Sequence, residues 1–265
     1  MSRVWLITGG NSGFGRAITE AAVAAGDVVV ATARRTAALD DLAGAYPDQV
    51  EVLPLDVTDV TAVEAVVRDV TDRAGRSHVG AAEETTDAEL RSLFYVQVFG
   101  PAALIRAVLP GMRSRRSGAI VQLSSMGGQL SFAGFSAYSA TKFALEGMSE
   151  ALADEVRPLG IKVLIVEPGA FRTALFSNIS ASAQIADYTA TVGPTRHMIE
   201  TGNGTQPGDP AKAAAAVLTA LDTGATPLRL PLGDDAVDAV LGHLDSVRAE
   251  VTTWEELARN TRLTQ

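Results

Sequence analysis

Val4-Trp5-Leu6-Ile7-Thr8-Gly9-Gly10-Asn11-Ser12-Gly13-Phe14-Gly15 is the stretch whose reading decides the fold. Val4 to Ile7 is a short apolar run of the kind a buried parallel strand needs. It breaks at Thr8 into glycines, and a helix-like stretch follows from Arg16 to Ala25. Strand, glycine-rich turn and helix in that order make a phosphate cradle. Glycine allows a sharp turn and a close approach, and the free N–H groups at the helix start face a pyrophosphate. The spacing is T-G-x-x-x-G-x-G through Gly9, Gly13 and Gly15, not the commoner G-x-G-x-x-G. An ordinary strand–turn–helix corner is the competing interpretation; the strand before the motif and the helix after it weigh against that.

Outward from this turn, strand and helix patterns alternate. Val28 to Thr32 is a second β-branched run, ending at Ala33-Arg34-Arg35. In dinucleotide folds this strand end meets the adenosine ribose, where an acid accepts from a free 2′-hydroxyl and a basic residue suits a 2′-phosphate. Ala33 stands where an acid would, so Arg34 favours NADP(H), with NAD(H) possible; otherwise Arg34 and Arg35 are simply solvated. Leu39 to Ala45 predicts a second helix and Val50 to Leu55 a third strand. Asp56, at that strand's end, either accepts from an adenine amino group or caps the helix Val60–Arg73, for which Asp59 is better placed. Between Gly75 and Gly80 another strand is expected, yet His78-Val79 is too short to span a sheet. Thr86 and Glu89 form a capping box, opening an amphipathic run to about Leu109.

Ala119 to Leu123 predicts the next strand, ending at Ser124-Ser125, and Phe135 to Arg157 a helix stopped by Pro158 and Gly160. Ile161 to Val166 is a strand that stops at Pro168-Gly169. Ala174 to Pro207, broken by Gly and Pro, reads as a substrate lid. Asp209-Pro210 starts a helix to Leu221, Leu228 to Leu232 is a last strand, and a helical tail carries Leu241, Leu244, Val247 and Val251 on one face. The pattern predicts one α/β domain over residues 1–265, a Rossmann-like doubly wound parallel sheet in three layers with its fourth strand shortened or missing.

The chain has 265 residues, and 47% of them are apolar, ample for one core. With 22 basic and 31 acidic residues the net charge is −9, which argues against non-specific nucleic-acid binding. There is no cysteine, so disulfides, thiolate metal sites and a cysteine nucleophile are excluded. No signal peptide precedes the first strand and no apolar run has membrane-spanning length, so a soluble cytoplasmic protein is expected. His78, His197 and His243 have no metal-like spacing among acids, and no metal is expected.

Tyr138 and Lys142 stand four residues apart on a predicted helix and share a face. An ammonium near a phenol stabilises phenolate and lowers the tyrosine pKa toward the range of a working acid/base. Ser125 ends a neighbouring strand and can hydrogen-bond a substrate oxygen. A helix-surface pair is the plainer explanation, but the Ser-ending strand and the opening nucleotide cradle favour chemistry.

With T-G-G-N-S-G-F-G, L-D-V-T-D, S-S-M-G-G, Y-S-A-T-K and E-P-G-A-F-R-T together, the chain resembles the short-chain dehydrogenase/reductase family from Val4 to about Leu232. The resemblance implies NAD(P)(H) binding through Thr8, Gly9, Asn11, Ser12, Gly13, Phe14 and Gly15, with Asp56 and Val57 at the adenine. Pro168, Gly169 and Thr173 would lie beside the nicotinamide. Tyr138 would pass a proton to or from the substrate oxygen, Lys142 would hold the nicotinamide ribose and lower the tyrosine pKa, and Ser125 would orient the carbonyl. The implied reaction moves hydride between nicotinamide and a carbonyl/alcohol carbon. Helices Thr86–Leu109 and Phe135–Arg157 resemble those that pair in family homodimers and homotetramers.

Two departures stand out. The family's N-N-A-G turn after the fourth strand has no counterpart, so the first and fifth strands pair directly, a short strand at Val79 fills in, or a segment is missing from the sequence. Gln97 replaces an asparagine that relays protons to the lysine through a water; its longer side chain places the amide differently. In the lid, Phe171, Leu175, Phe176, Ile179, Ile185 and Tyr188 suggest a fairly apolar substrate, or else pack the lid on its own domain. The alternative to an enzyme is a catalytically degraded relative that binds nucleotide or a partner.

Overall fold

The computed structural model describes residues 3–55 and 77–263. Asp56, Val57 and the helix expected over 60–73 lie outside them. The first half is a parallel sheet of β1 (Val4–Thr8), β2 (Val28–Ala33) and β3 (Val50–Pro54), with α1 (Gly13–Ala24) and α2 (Asp40–Ala45) in the connections. Its core gathers Ile7, Ala22, Val23, Val29, Ala31 and Leu39.

After β4 (His78–Val79) comes α3, a continuous helix from Asp87 to Arg115. The predicted capping box starts it: Thr86 Oγ1 accepts from the Glu89 amide at 3.2 Å, and Glu89 Oε2 accepts from the Thr86 amide at 2.8 Å. The helix runs past the expected end at Leu109 with Pro110 inside it. Residues Tyr95–Phe99 form a π-turn. Pro101 explains it, since a proline offers no N–H to the carbonyl four residues back, here Gln97, and crowds it. By length and apolar composition α3 matches a membrane span, contrary to the expectation from the sequence. Leu93, Val96, Ala103 and Ile105 are buried, and the helix packs on the helix Ser136–Val156 and the strand Gly118–Leu123.

The second half-sheet is β5 (Gly118–Leu123), β6 (Ile161–Pro168) and β8 (Arg229–Leu232), all parallel. Helix α4 (Ser136–Val156) lies on one face, and α6 (Pro210–Asp222) on the other. Side chains of β6 alternate accordingly, Ile161 and Val163 toward α4 and Leu164 and Val166 toward α6. The tail forms α7 (Asp234–Thr253) and α8 (Glu255–Arg259). Leu241, Leu244, Val247 and Val251 do share one face, but it is exposed.

Among the described residues no strand lies between β1 and β5. Neither expected rearrangement within the sheet occurs. β1 and β5 do not pair, and β4 pairs instead with β7 (Ser180–Ala181), His78 opposite Ser180 and Val79 opposite Ala181. The strand expected to be buried from Val4 to Ile7 is covered at Trp5 and Ile7, whereas Val4 is 76% and Leu6 39% exposed. Alternate side chains face opposite ways, and the face carrying Val4 and Leu6 lacks cover beside the unpaired edge of β1. On the other face α6 bridges the halves. It packs on α1, and its Val217 and Leu221 join Leu164, Val166 and the Trp5 indole in one cluster.

The stretch 174–207, read from sequence as a lid, contains a helix that the sequence reading missed, α5 (Thr189–Gly202), despite Pro194 within it. Val192 and Ile199 pack with Val79, Ala81, Ile179 and Tyr188. A buried ion pair, Arg196 Nη2 to Glu84 Oε2 at 2.8 Å, ties α5 to the segment after β4.

Candidate active site

Two glycines of the opening turn have left-handed backbones, Gly9 at φ +65° and Gly13 at +52°, a region L-side chains rarely occupy. Gly15 is required by a contact: a Cβ there would sit 2.1 Å from the Gly9 carbonyl oxygen. The Gly10 amide donates to the Thr32 carbonyl at 2.9 Å, and Thr32 Oγ1 donates to the Ile7 carbonyl at 3.0 Å, so the turn is stitched to β2. Ser12 N-caps α1 with an extended backbone and no side-chain cap bond. The first-turn amides of α1 are therefore left for a ligand, and this cradle fits a pyrophosphate.

A groove of about 470 Å³ opens there, bordered by Gly13, Arg16, Ala17, Thr173 and Pro210. Thr173 Cβ lies 3.6 Å from the point a Gly13 Cβ would occupy, and the Phe14 and Phe171 rings meet edge-on at 5.1 Å. Thr8, Gly9, Asn11, Ser12, Gly13, Phe14 and Gly15 are thus grouped in one turn, with Thr173 across the groove. Pro168 and Gly169 end β6, where the Gly169 amide donates to the Leu232 carbonyl at 2.9 Å. Arg34 and Arg35 are exposed at the end of β2. The sequence reading overlooked Arg16, which pairs with Asp41 at 2.6 Å and Glu20 at 2.6 Å. Its place directly after Gly15 was the available signal.

β5 delivers Ser124 and Ser125 to its C-terminal end, and α4 lays Tyr138 and Lys142 against them. Ser125 Oγ accepts from the Gly127 amide at 3.1 Å, donates to the Pro168 carbonyl at 3.4 Å, and lies within hydrogen-bond range of the Tyr138 hydroxyl. Lys142 is buried; its Nζ donates to Gln97 Oε1 at 2.8 Å and to the Leu123 carbonyl at 2.9 Å. It stands 5.7 Å from the centre of the Tyr138 ring. The structure therefore brings Ser125, Tyr138, Lys142 and Gln97 together.

The electrostatics correct one expectation. Burial pushes the Tyr138 phenol above its ordinary pKa, and the Ser125 contact only partly opposes this. Desolvation also pulls the Lys142 pKa down to about 8, against a raising effect of Glu146. A lysine titrating there is poised near neutral pH.

Comparison with known proteins agrees with this geometry. The sequence matches the short chain dehydrogenase family over residues 3–184. The chain belongs to the short-chain dehydrogenase/reductase family, an NAD(P)-dependent class of oxidoreductases.

A crystal structure of a short-chain dehydrogenase from Streptomyces avermitilis is similar to this chain at a TM-score of 0.91 and 61% identity, covering 98% of each chain. One from Burkholderia cenocepacia J2315, in complex with NADP, has a TM-score of 0.73 and 25% identity over 95% of this chain and 97% of its own. Oxidoreductase BOA17 of Botryotinia fuckeliana is 34% identical over 270 residues, 97% of this chain and 98% of its own. This chain's two departures from its family have different consequences. Gln97 lies within the π-turn of α3, and its amide oxygen accepts from the lysine directly. Beside the shortened fourth unit, the described residues form two separate half-sheets.

Proposed function

We propose that the protein is an NADP(H)-dependent carbonyl reductase or alcohol dehydrogenase, with Tyr138 as its general acid/base. The observation that carries this reading is the convergence of Ser125 and Tyr138 with a lysine fixed by Gln97 and the Leu123 carbonyl. Bound on the glycine turn, the cofactor would supply a hydride to the substrate carbon or accept one from it. Ser125 Oγ would donate to the substrate oxygen, and the Tyr138 hydroxyl would give it a proton in reduction or take one in oxidation. Lys142 would hold the cofactor ribose and keep a positive charge near the phenol. Arg34 and Arg35, beside an alanine and no acid, support NADP(H) over NAD(H).

A small, apolar carbonyl or alcohol fits the lid's composition, although Ile179 and Tyr188 are engaged in its own packing. Tyr95, Phe99 and Phe143, each about half exposed on α3 and α4, support a homodimer or homotetramer across those helices. The competing reading, a degraded relative that binds nucleotide without turnover, draws on the split sheet.

The discriminating experiment titrates the protein with NADPH and NADH by fluorescence, then follows nicotinamide absorbance with a panel of aldehydes and ketones. Turnover that Tyr138→Phe lowers by about 10²–10⁴-fold, with NADPH affinity kept, is the expected result. Tight NADPH binding without turnover would favour the degraded relative.

A further inference from the structure

Directly behind the catalytic residues lies a buried acidic pair that the reaction as described does not use. Glu146, on α4 one turn beyond Lys142, is 3% exposed, and Glu167, which precedes Pro168, is 0% exposed. Ser124 Oγ, next to Ser125, donates to Glu146 Oε1 at 2.6 Å. The Gln129 amide nitrogen donates to Glu146 Oε2 and to Glu167 Oε1, both at 2.8 Å. Glu167 Oε2 is buried and receives no donor. The fit is tight: a Cβ on Gly128 would come within 2.0 Å of Glu146 Oε1.

We propose that Glu146 and Glu167 are positioning residues, a carboxyl pair that shares one proton and, through Ser124 and Lys142, sets the geometry and charge of the catalytic group. The proposal rests on the reading of Tyr138 and Lys142 as the reacting pair. Three segments that carry that group converge here: the loop after β5, α4, and the end of β6. The charge count explains the shared proton. From β8, Arg229 Nε lies 3.4 Å from Glu146 and 3.5 Å from Glu167, while its Nη2 is spent on Glu150 at 2.9 Å. One guanidinium thus faces three carboxylates. On α4, Lys142 is the cation nearest Glu146 in the chain, and the Glu146 charge acts to raise its pKa; Asp235, at the start of α7, is turned to the Ala170 amide at 2.7 Å. Two adjacent buried carboxylates do not both ionise readily. Burial and the charge of Glu146 push Glu167 up to about 7, against Gln129 and Arg229.

Glu167→Gln tests this. Its amide imitates the protonated acid, accepting from Gln129 and donating to Glu146, so the hydrogen bonds are kept and only the second negative charge is lost. Without that charge Lys142 loses its proton at lower pH. The alkaline limb of kcat/KM should move down by about half a unit to one unit, a roughly three- to tenfold loss above neutral pH. A merely structural role would lower stability and leave the limb in place. Infrared spectroscopy reads the pair without turnover: the native protein should show a protonated-carboxyl band that fades near neutral pH and is missing in E167Q. Should E167Q fail to fold, R229Q at the partly exposed cation should carry the same band to higher pH. Superimposable pH profiles, or the lack of such a band in the native protein, overturn the proposal. If no substrate is turned over, the functional reading fails on its own while the infrared result still decides the pair.

Discussion

Gln97→Leu is the sharpest probe of the site, because a single acceptor is removed from a buried cation while the volume is nearly kept. Lys142 Nζ has two acceptors, Gln97 Oε1 at 2.8 Å and the Leu123 carbonyl at 2.9 Å, and its pKa is already pulled down to about 8 by burial. A hydrogen bond to a charged group contributes about 1.5–3 kcal/mol. A charged donor makes a stronger hydrogen bond than a neutral amine, so the loss falls mainly on the ammonium. At about 1.4 kcal/mol per pKa unit, the lysine should drop by one to two units. From about 8, a drop of that size favours the neutral amine at pH 7.5. The assay is the pH profile of kcat/KM for NADPH-dependent reduction, where the alkaline limb should move down by that amount. Gln97→Asn should recover part of the shift, since a shorter amide can reach the lysine through a water. A limb that stays in place or moves upward in Q97L would refute the claim that Gln97 holds the lysine's charge.

The remaining predictions concern the cofactor and the core. Replacing both Arg34 and Arg35 by alanine should weaken NADPH binding by about tenfold, the scale of one lost charge-assisted contact, and leave NADH binding unchanged; equal loss for both nucleotides would remove the 2′-phosphate from the argument. Leu164→Ala, at a fully buried position in the α6 cluster, should cost about 2–5 kcal/mol in denaturant unfolding. Val4→Ser, in a strand that should by pattern be core but is 76% exposed at this residue, should stay within about 0.5 kcal/mol. A large cost at Val4 would show that β1 is covered after all.

Much of the fold and site was legible because it rests on local chemistry. The glycine turn was readable because φ near +60° and a carbonyl contact at Gly15 admit only glycine. Tyr138 and Lys142 were readable because helical period places them on one face. What was hidden depends on partners distant in sequence. Helix α5 contains Gly193 and Pro194, so local pattern argues against it; contacts of Val192, Arg196 and Ile199 with the segment after β4 hold it. The direction of the Tyr138 shift was missed because it comes from burial, which a Y-x-x-x-K spacing does not encode. Nor does sequence tell that a π-turn forms ahead of Pro101 or that Gln97 within it contacts Lys142 directly. The pairing of His78-Val79 with the lid was hidden in the same way, since its partner lies about a hundred residues on.

Among the described residues the two half-sheets are not joined, and such a division would be expected to misalign a site that straddles it, since the glycine turn belongs to β1 and α1 while Ser125, Tyr138 and Lys142 belong to β5 and α4. Contacts other than strand pairing carry the alignment. At the site end, Phe14 meets Phe171 and Gly13 faces Thr173, so the segment after β6 rests on the glycine turn. Midway, Trp5 is packed into the cluster of Leu164, Val166 and Val217. At the far end Arg3 reaches Asp222 at 2.7 Å, with its guanidinium over the Trp5 ring. The exposed ion pair adds little. The indole adds most, because a large aromatic body removes the most apolar area from water. Because α6 packs on both α1 and β6, it fixes their spacing as a splint would. The glycine turn and the group of Ser125, Tyr138 and Lys142 are therefore registered through one face of the molecule, the face opposite Val4 and Leu6, where the described residues form no continuous ladder of strand hydrogen bonds.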